Sequence, residues 1–127
     1  MRGEQYLTKP QQFASVYNKG SSWSSRWLVM KMLANGLPTS RYGFSVSRKV
    51  GGAVVRNKMK RWLREIMRAS SLKPGEDMIF IVRPAAVATD YWGLKKAAED
   101  LLSRAHVLVM KDGPVAANTR VEGESGN

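Results

Sequence analysis

The chain has 127 residues, 43% of them hydrophobic, and a formal net charge of +11 with a pI near 10.4. That length fits one domain with its own core. No run of 18 apolar residues suggests a membrane span, and Met1-Arg2-Gly3-Glu4-Gln5-Tyr6 has no apolar stretch behind its charge, so no secretory signal is expected. With no cysteine, disulfides and thiolate metal sites are excluded, and a cytoplasmic location is expected. So basic a chain calls for a polyanionic partner.

In chain order, Phe13, Val16 and Tyr17 fall at i, i+3 and i+4, which predicts a helix over Pro10–Lys19 stopping at Gly20. A Ser-rich turn around Trp23 follows, with room for a short strand near Ser21–Ser25. Trp27 to Leu33 reads as a buried strand. Asn35-Gly36-Leu37-Pro38 is a strong turn signal, so a hairpin partner is expected next. Arg41 to Ser47 alternates: Tyr42, Phe44 and Val46 point one way, Gly43, Ser45 and Ser47 the other. One face is core, and the other is small and polar, as a groove floor would be. After Gly51-Gly52 a helix over Val54–Ala69 places Met59, Trp62, Leu63, Ile66 and Met67 on one arc and basic residues opposite. Lys73-Pro74-Gly75-Glu76 turns the chain, and Asp77 to Val82 is a continuous apolar strand of central type, ended by Pro84. Thr89 or Asp90 caps a third helix whose buried stripe is Tyr91, Leu94, Ala98, Leu101, Leu102 and Ala105. Residues 1–110 are thus expected to form a single α/β domain. Residues 111–127, with Gly113, Pro114, Gly123 and Gly126, form a tail expected to be disordered.

The charge is concentrated. Between Arg41 and Arg68 lie nine cations against the single acid Glu65, which is +8 of the total +11. Arg56, Lys60, Arg64 and Arg68 repeat every four residues and form one ridge along the helix. Like charges at this spacing destabilise an isolated helix by a few tenths of a kcal/mol per pair. Phosphates relieve that repulsion, through guanidinium forks and released counterions. Ser47 to Ala53, the strand-to-helix loop, sets Arg48 and Lys49 beside glycines and a helix N-terminus, an arrangement that suits an anion but also makes an ordinary turn. It has neither the Walker pattern nor a dinucleotide fingerprint. Phe13 and Tyr17 have the spacing of core residues and the chemistry to stack on unpaired bases. Trp23, Trp27, Trp62 and Trp92 read as packing, with Trp62 in the core. His106, the only histidine, falls at a helix end or on the surface. The ten acids form no recognisable metal cluster, so neither a two-metal nuclease nor an acid–base ribonuclease is indicated. No catalytic and no metal-binding residue is assigned.

The stretch from Tyr42 to Glu65, YGFSVSRKVGGAVVRNKMKRWLRE, closely resembles the bacterial ribonuclease P protein component. It shows that family's small-residue strand, the K-x-G-x-A-x-x-R-N loop and helix start, and K-R-x-x-R-E. Phe13-x-x-Val16-Tyr17-x-x-Gly20 and Asp77 to Pro84 resemble its opening helix and last strand, and the likeness spans about Leu7 to Leu108. The resemblance implies an α+β fold, a two-layer α/β sandwich like ribosomal protein S5 domain 2, with a mixed sheet and a left-handed βαβ crossover. It implies a protein subunit that assists a catalytic RNA in removing the 5′ leader of precursor tRNA, with Mg²⁺ bound by the RNA. Partners are then that RNA and precursor tRNA, with no membrane and no small-molecule substrate. Contact with the catalytic RNA is carried over to Arg48, Lys49, Arg56, Asn57, Lys60, Arg61 and Arg64. The leader cleft is carried over to Phe13 and Tyr17, and to Lys31, which stands where some members place an aromatic. Gly52 stands where many members carry a polar residue, and the tail has no counterpart.

Overall fold

The structure is a computed structural model and describes residues 6–109; the expected tail lies outside the described residues. The fold is α+β. Its elements are α1 (Pro10–Lys19), β1 (Ser21–Ser24), β2 (Leu28–Ala34), β3 (Arg41–Ser45), α2 (Ala53–Ala69), β4 (Glu76–Val82) and α3 (Tyr91–Arg104), with a 3₁₀ turn at Pro84–Ala88. Helix starts are chemically defined. At α1, Pro10 occupies the first turn, and Gln12 Oε1 accepts from the backbone N–H groups of Thr8 and Lys9 at 2.8 and 3.0 Å. Of the two candidate caps for α3, Asp90 is the one used: its Oδ1 accepts from the Gly93 N–H at 2.9 Å. Gly20 ends α1 because a Cβ there would lie 2.6 Å from the carbonyl oxygen of Val16 and 2.8 Å from that of Met32. Only glycine lets the chain turn directly into β1.

The sheet order is β1-β2-β4-β3. This corrects the expected hairpin between Trp27–Leu33 and Arg41–Ser47. The antiparallel partner of β2 before it in the chain is β1, Ser21↔Met32 to Ser24↔Val29, so the Ser-rich stretch is a strand. On its other side β2 pairs with β4, antiparallel from Leu28↔Val82 to Ala34↔Glu76. Among the strands β3 pairs only with β4, parallel from Arg41↔Asp77 to Ser45↔Ile81, and on its outer side Tyr6 bridges Tyr42, with the Leu7 N–H donating to the Tyr42 carbonyl oxygen at 3.0 Å. The reason lies in the side chains. Asp77, Met78, Ile79 and Phe80 are all buried, so β4 needs a strand on each side and cover on both faces. β3, with one apolar face and one of small residues, tolerates an edge. Skipping one strand requires about 10 Å, and the six residues 35–40 span about 20 Å.

Helices cover both faces. Leu28 and Met30 of β2, Tyr42 of β3, and Met78, Phe80 and Val82 of β4 pack with Met59, Leu63, Ile66 and Met67 of α2 and with Leu94, Ala98, Leu101 and Leu102 of α3. This is the main core, and each fully buried Leu, Ile, Met or Phe contributes about 1.5–3 kcal/mol. On the other face α1 builds a smaller cluster of Leu7, Val16 and Ile79, flanked by Phe13, Leu33 and Ile81. To the sandwich of sheet and two helices, α1 therefore adds cover on the far side. Of the tryptophans expected to pack, Trp62 does so at the margin of the core and Trp92 does not. Trp62, at the fringe of the apolar arc of α2, is half-buried in the seam with α3, edge-on to Tyr91 at 6.0 Å. Trp92 is 66% exposed, because it lies about 100° around α3 from the buried Tyr91 side.

Candidate nucleic-acid interface

The basic ridge is built by α2. Its apolar side is pinned to the sheet by Met59, Leu63, Ile66 and Met67. One flank, carrying Lys58 and Trp62, meets α3, with the Lys58 ammonium 5.1 Å from the Trp62 ring centre. The opposite flank, carrying Arg56, Lys60 and Arg64, therefore faces away from α3 toward the outer, β3 side of the sheet. Asn57, Arg61 and Arg68 stand on the exposed crest between the two flanks. Among the described residues the ion pairs are Arg41–Asp77 at 2.7 Å, Lys95–Glu99 at 2.6 Å and Arg104–Asp100 at 3.2 Å. None involves α2 or the loop before it. Arg56 Nε donates to the Gly51 carbonyl oxygen at 3.2 Å, which holds the side chain against the loop and leaves its charge uncompensated.

Arg41 is different. Its Nε and Nη2 donate to Asp77 Oδ1 and Oδ2 at 2.8 and 2.7 Å, and Asn35 Nδ2 adds a third bond to Oδ1 at 2.8 Å. Asp77 is only 6% exposed. Its hydrogen bonds hold the Arg41 guanidinium further above its ordinary pKa. One cation of the concentrated stretch is thus structural, fixing the start of β3 to β4, and the free charge begins at Arg48.

Arg48 and Lys49 lie exposed in the loop that leaves β3, which turns through Val50 N–H to Ser47 O at 3.1 Å and Gly51 N–H to Arg48 O at 3.2 Å. Gly52 is the residue before the first turn of α2, and a Cβ there would meet no atom within 4 Å. The first N–H groups of α2 therefore open beside two cations, which suits a phosphate.

The groove lies on the opposite face. α1 crosses the sheet from β3, where Phe13 lies on Gly43, to β2, where Gly20 abuts the Met32 carbonyl. A Cβ on Gly43 would sit 2.7 Å from Phe13 Cζ; the bare backbone is what lets the ring settle on the strand. Gln12 and Ser15 line the side of α1 toward Leu33 and Asp77, so Phe13 and Tyr17 lie on its other side. There the register leaves a row across four strands, Ser24, Val29, Ile81 and Ser45, exposed or half-buried throughout. α1 is one wall of this groove and that row is its floor. Phe13 is half-buried, Tyr17 is 39% exposed, and Lys31 is half-buried in the next row, between Ser22 and Ile79.

A family model for ribonuclease P matches residues 1–106 of the chain. The chain belongs to the ribonuclease P protein family. Within the family it is similar to the ribonuclease P protein component of Dehalococcoides mccartyi strain CBDB1, at 38% identity over 119 residues, covering 94% of this chain and 99% of the relative. With that of Caldanaerobacter subterraneus subsp. tengcongensis it shares 41% identity over 100 residues, covering 77% and 86%. Among solved structures, a Staphylococcus aureus RNase P protein mutant superposes with a TM-score of 0.80 at 34% identity, over 84% of this chain and 92% of that one. The Thermotoga maritima RNase P protein does so at 0.72 and 32% identity, over 78% and 96%.

Against that family background, the residues singled out by sequence fall into two groups on opposite faces of the sheet. Arg56, Asn57, Lys60, Arg61 and Arg64 share α2, while Phe13, Tyr17 and Lys31 share the groove side. Arg48 and Lys49, in the loop joining β3 to α2, stand at the edge between them. Val29 and Ile81 of the groove floor escaped sequence reasoning, because only the pairing register places them beside Ser45. His106 is exposed just past α3, with a positive φ of 59°, in keeping with a helix-end position.

Proposed function

We propose that the chain is the protein subunit of ribonuclease P that binds the catalytic RNA through α2 and its preceding loop. In the same reading it holds the 5′ leader of precursor tRNA in the groove beside α1. The observation that carries it is the row of cations on α2 and in the loop without any carboxylate partner among the described residues. Neutralising that row is worth more to an RNA-bound state than to the free protein, since phosphate contacts release counterions. The groove complements it: Phe13 and Tyr17 offer π-faces for unpaired bases, and Lys31 offers a charge to a phosphate.

Bond breaking is assigned to the RNA, and Mg²⁺ with it. Among the described residues no three His, Asp or Glu side chains come together as a metal site. Asp77, Asp90, Glu99 and Asp100 are each engaged by an ion pair or a cap. These residues do not fit a protein-held magnesium. Assembly in the cytoplasm follows from such partners, and among the described residues no helix is long and apolar enough to cross a membrane.

The test is cleavage of precursor tRNA at low Mg²⁺ by protein alone, RNA alone and both together. Cleavage restored only by the mixture is expected. Cleavage by the RNA-free protein would refute the assignment of chemistry to the RNA. Phe13→Leu, which keeps apolar bulk on Gly43 but removes the aromatic face, should reduce discrimination between precursor and mature tRNA while leaving RNA docking intact.

A further inference from the structure

The sheet has two ends, and they differ in charge. At the end where β3 and β4 finish, β2 begins and β1 finishes, every strand is followed, preceded or capped by an exposed cation. Arg48 and Lys49 follow β3, Arg83 follows β4, Arg26 precedes β2, and Arg104 of α3 reaches the end of β1. At the other end less charge is left free: Arg41 is bridged to Asp77, and Lys19 and Lys73 stand with Glu76 beside the starts of β1 and β4.

The cations on the β1–β2 side are held in place by the turn between those strands. Arg104 Nη1 donates to the Ser24 carbonyl oxygen at 2.9 Å, and Arg83 Nη1 donates to that of the next residue, Ser25, at 3.0 Å. The Arg26 guanidinium lies 4.6 Å from the centre of the Trp27 ring. Carbonyls of adjacent residues thus anchor two guanidinium groups at one turn, the turn that also carries Arg26, and each keeps donors free. Asp100, bridged to Arg104, is the one carboxylate in contact with them among the described residues. Arg83 and Arg26 have none.

We infer that this rim is a phosphate track for a single RNA strand, with the 5′ leader as its occupant; the inference rests on the function proposed above and extends its leader site beyond the groove. The rim carries cations on both sides, Arg48 and Lys49 beyond β3 and Arg26, Arg83 and Arg104 about the β1–β2 turn, and three strand spacings, about 14 Å, separate β3 from β1. One phosphodiester chain laid along the rim meets both groups. The rim runs alongside the groove floor Ser24, Val29, Ile81 and Ser45, so bases in the groove leave phosphates at the rim. It starts at Arg48 and Lys49, next to the face assigned to the catalytic RNA, and ends at Arg26, Arg83 and Arg104. A leader must reach a certain length before it meets those three arginines.

The experiment uses the reconstituted protein–RNA enzyme and precursor tRNAs with leaders lengthened one nucleotide at a time. Wild type is expected to gain affinity with length and then level off. Arg26→Ala/Arg83→Ala should level off at a shorter leader, with affinity for short-leader precursor, mature tRNA and the catalytic RNA unchanged. On the long leader its salt slope should fall by roughly 0.7 per lost contact, so its disadvantage shrinks about sevenfold between 50 and 200 mM salt for two contacts. Arg26→Glu, which removes no hydrogen bond within the described structure, should give the same pattern, so a folding defect cannot imitate it. If the variants match wild type at every leader length while wild type still prefers precursor, the rim is only solvated charge and the inference fails alone. If they weaken catalytic-RNA binding regardless of leader, the rim belongs to that RNA and the inference is overturned. If wild type itself neither binds the catalytic RNA nor prefers precursor, the proposed function falls and takes the rim with it.

Discussion

Arg61→Ala tests the reading of α2 most directly. Arg61 stands on the exposed crest of the helix, and no ion pair or hydrogen bond ties its guanidinium to the described chain, so its removal leaves nothing buried and unpaired. The stability cost should stay within about 0.5 kcal/mol, as for other exposed positions. Binding is where the effect should appear. Six cations, Arg48, Lys49, Arg56, Lys60, Arg61 and Arg64, make up the assigned surface, and full engagement gives a slope of log K against log salt near −5.4, about −0.9 per contact. Between 50 and 200 mM salt the wild type then loses roughly 2,000-fold in affinity. Arg61→Ala, with one contact fewer, loses about 3.5-fold less over the same range. Titration of labelled catalytic RNA at four salt concentrations measures both slopes. A variant that weakens binding with an unchanged slope, or leaves binding untouched, would refute the view that this crest meets phosphates.

Arg41 supplies the contrasting case: Arg41→Ala leaves nearly buried Asp77 without its cation, and loss of about 3–5 kcal/mol is expected in urea unfolding, with no change in salt slope for the protein that remains folded. Gly43→Ala drives a methyl into the Phe13 ring and should cost about 1–3 kcal/mol. Phe13→Ala should relieve part of that clash, so the double variant is more stable than the two single effects summed, a coupling that a double-mutant cycle reads. Burial pushes the Tyr42 hydroxyl up to about 12, helped by its neighbour Tyr6 and opposed by Arg68. The folded state therefore holds this proton more tightly than the unfolded chain does. The resulting stability is complete below about pH 10 and is lost as pH rises through 12. In Tyr42→Phe that alkaline loss should shrink, as followed by urea midpoints from pH 8 to 11.5.

Much of this protein was written in local sequence. Helix α1 and its Gly20 stop, the amphipathic α2 and the apolar β4 follow from periodicities of 3.6 and 2 and from turn residues, which act over a few positions. The basic ridge was legible for the same reason, since residues four apart on a helix share a side whatever the rest of the chain does. The partners of each strand were not legible. Backbone hydrogen bonding is indifferent to sequence, so the turn at Asn35–Pro38 fits a hairpin as well as a crossover. The need of β4 for cover on both faces, a property of the assembled core, decided between them. That choice made everything non-local: it paired Asp77 with Arg41 and so withdrew one cation from the binding surface, placed Ile81 and Val29 in one groove floor, and gathered Arg26, Arg83 and Arg104 at a single end of the sheet. The sequence alone determined which residues carry charge and which faces they share. Only tertiary packing decided which charges remain free, because an ion pair requires two side chains to meet, and strand order determines which ones do.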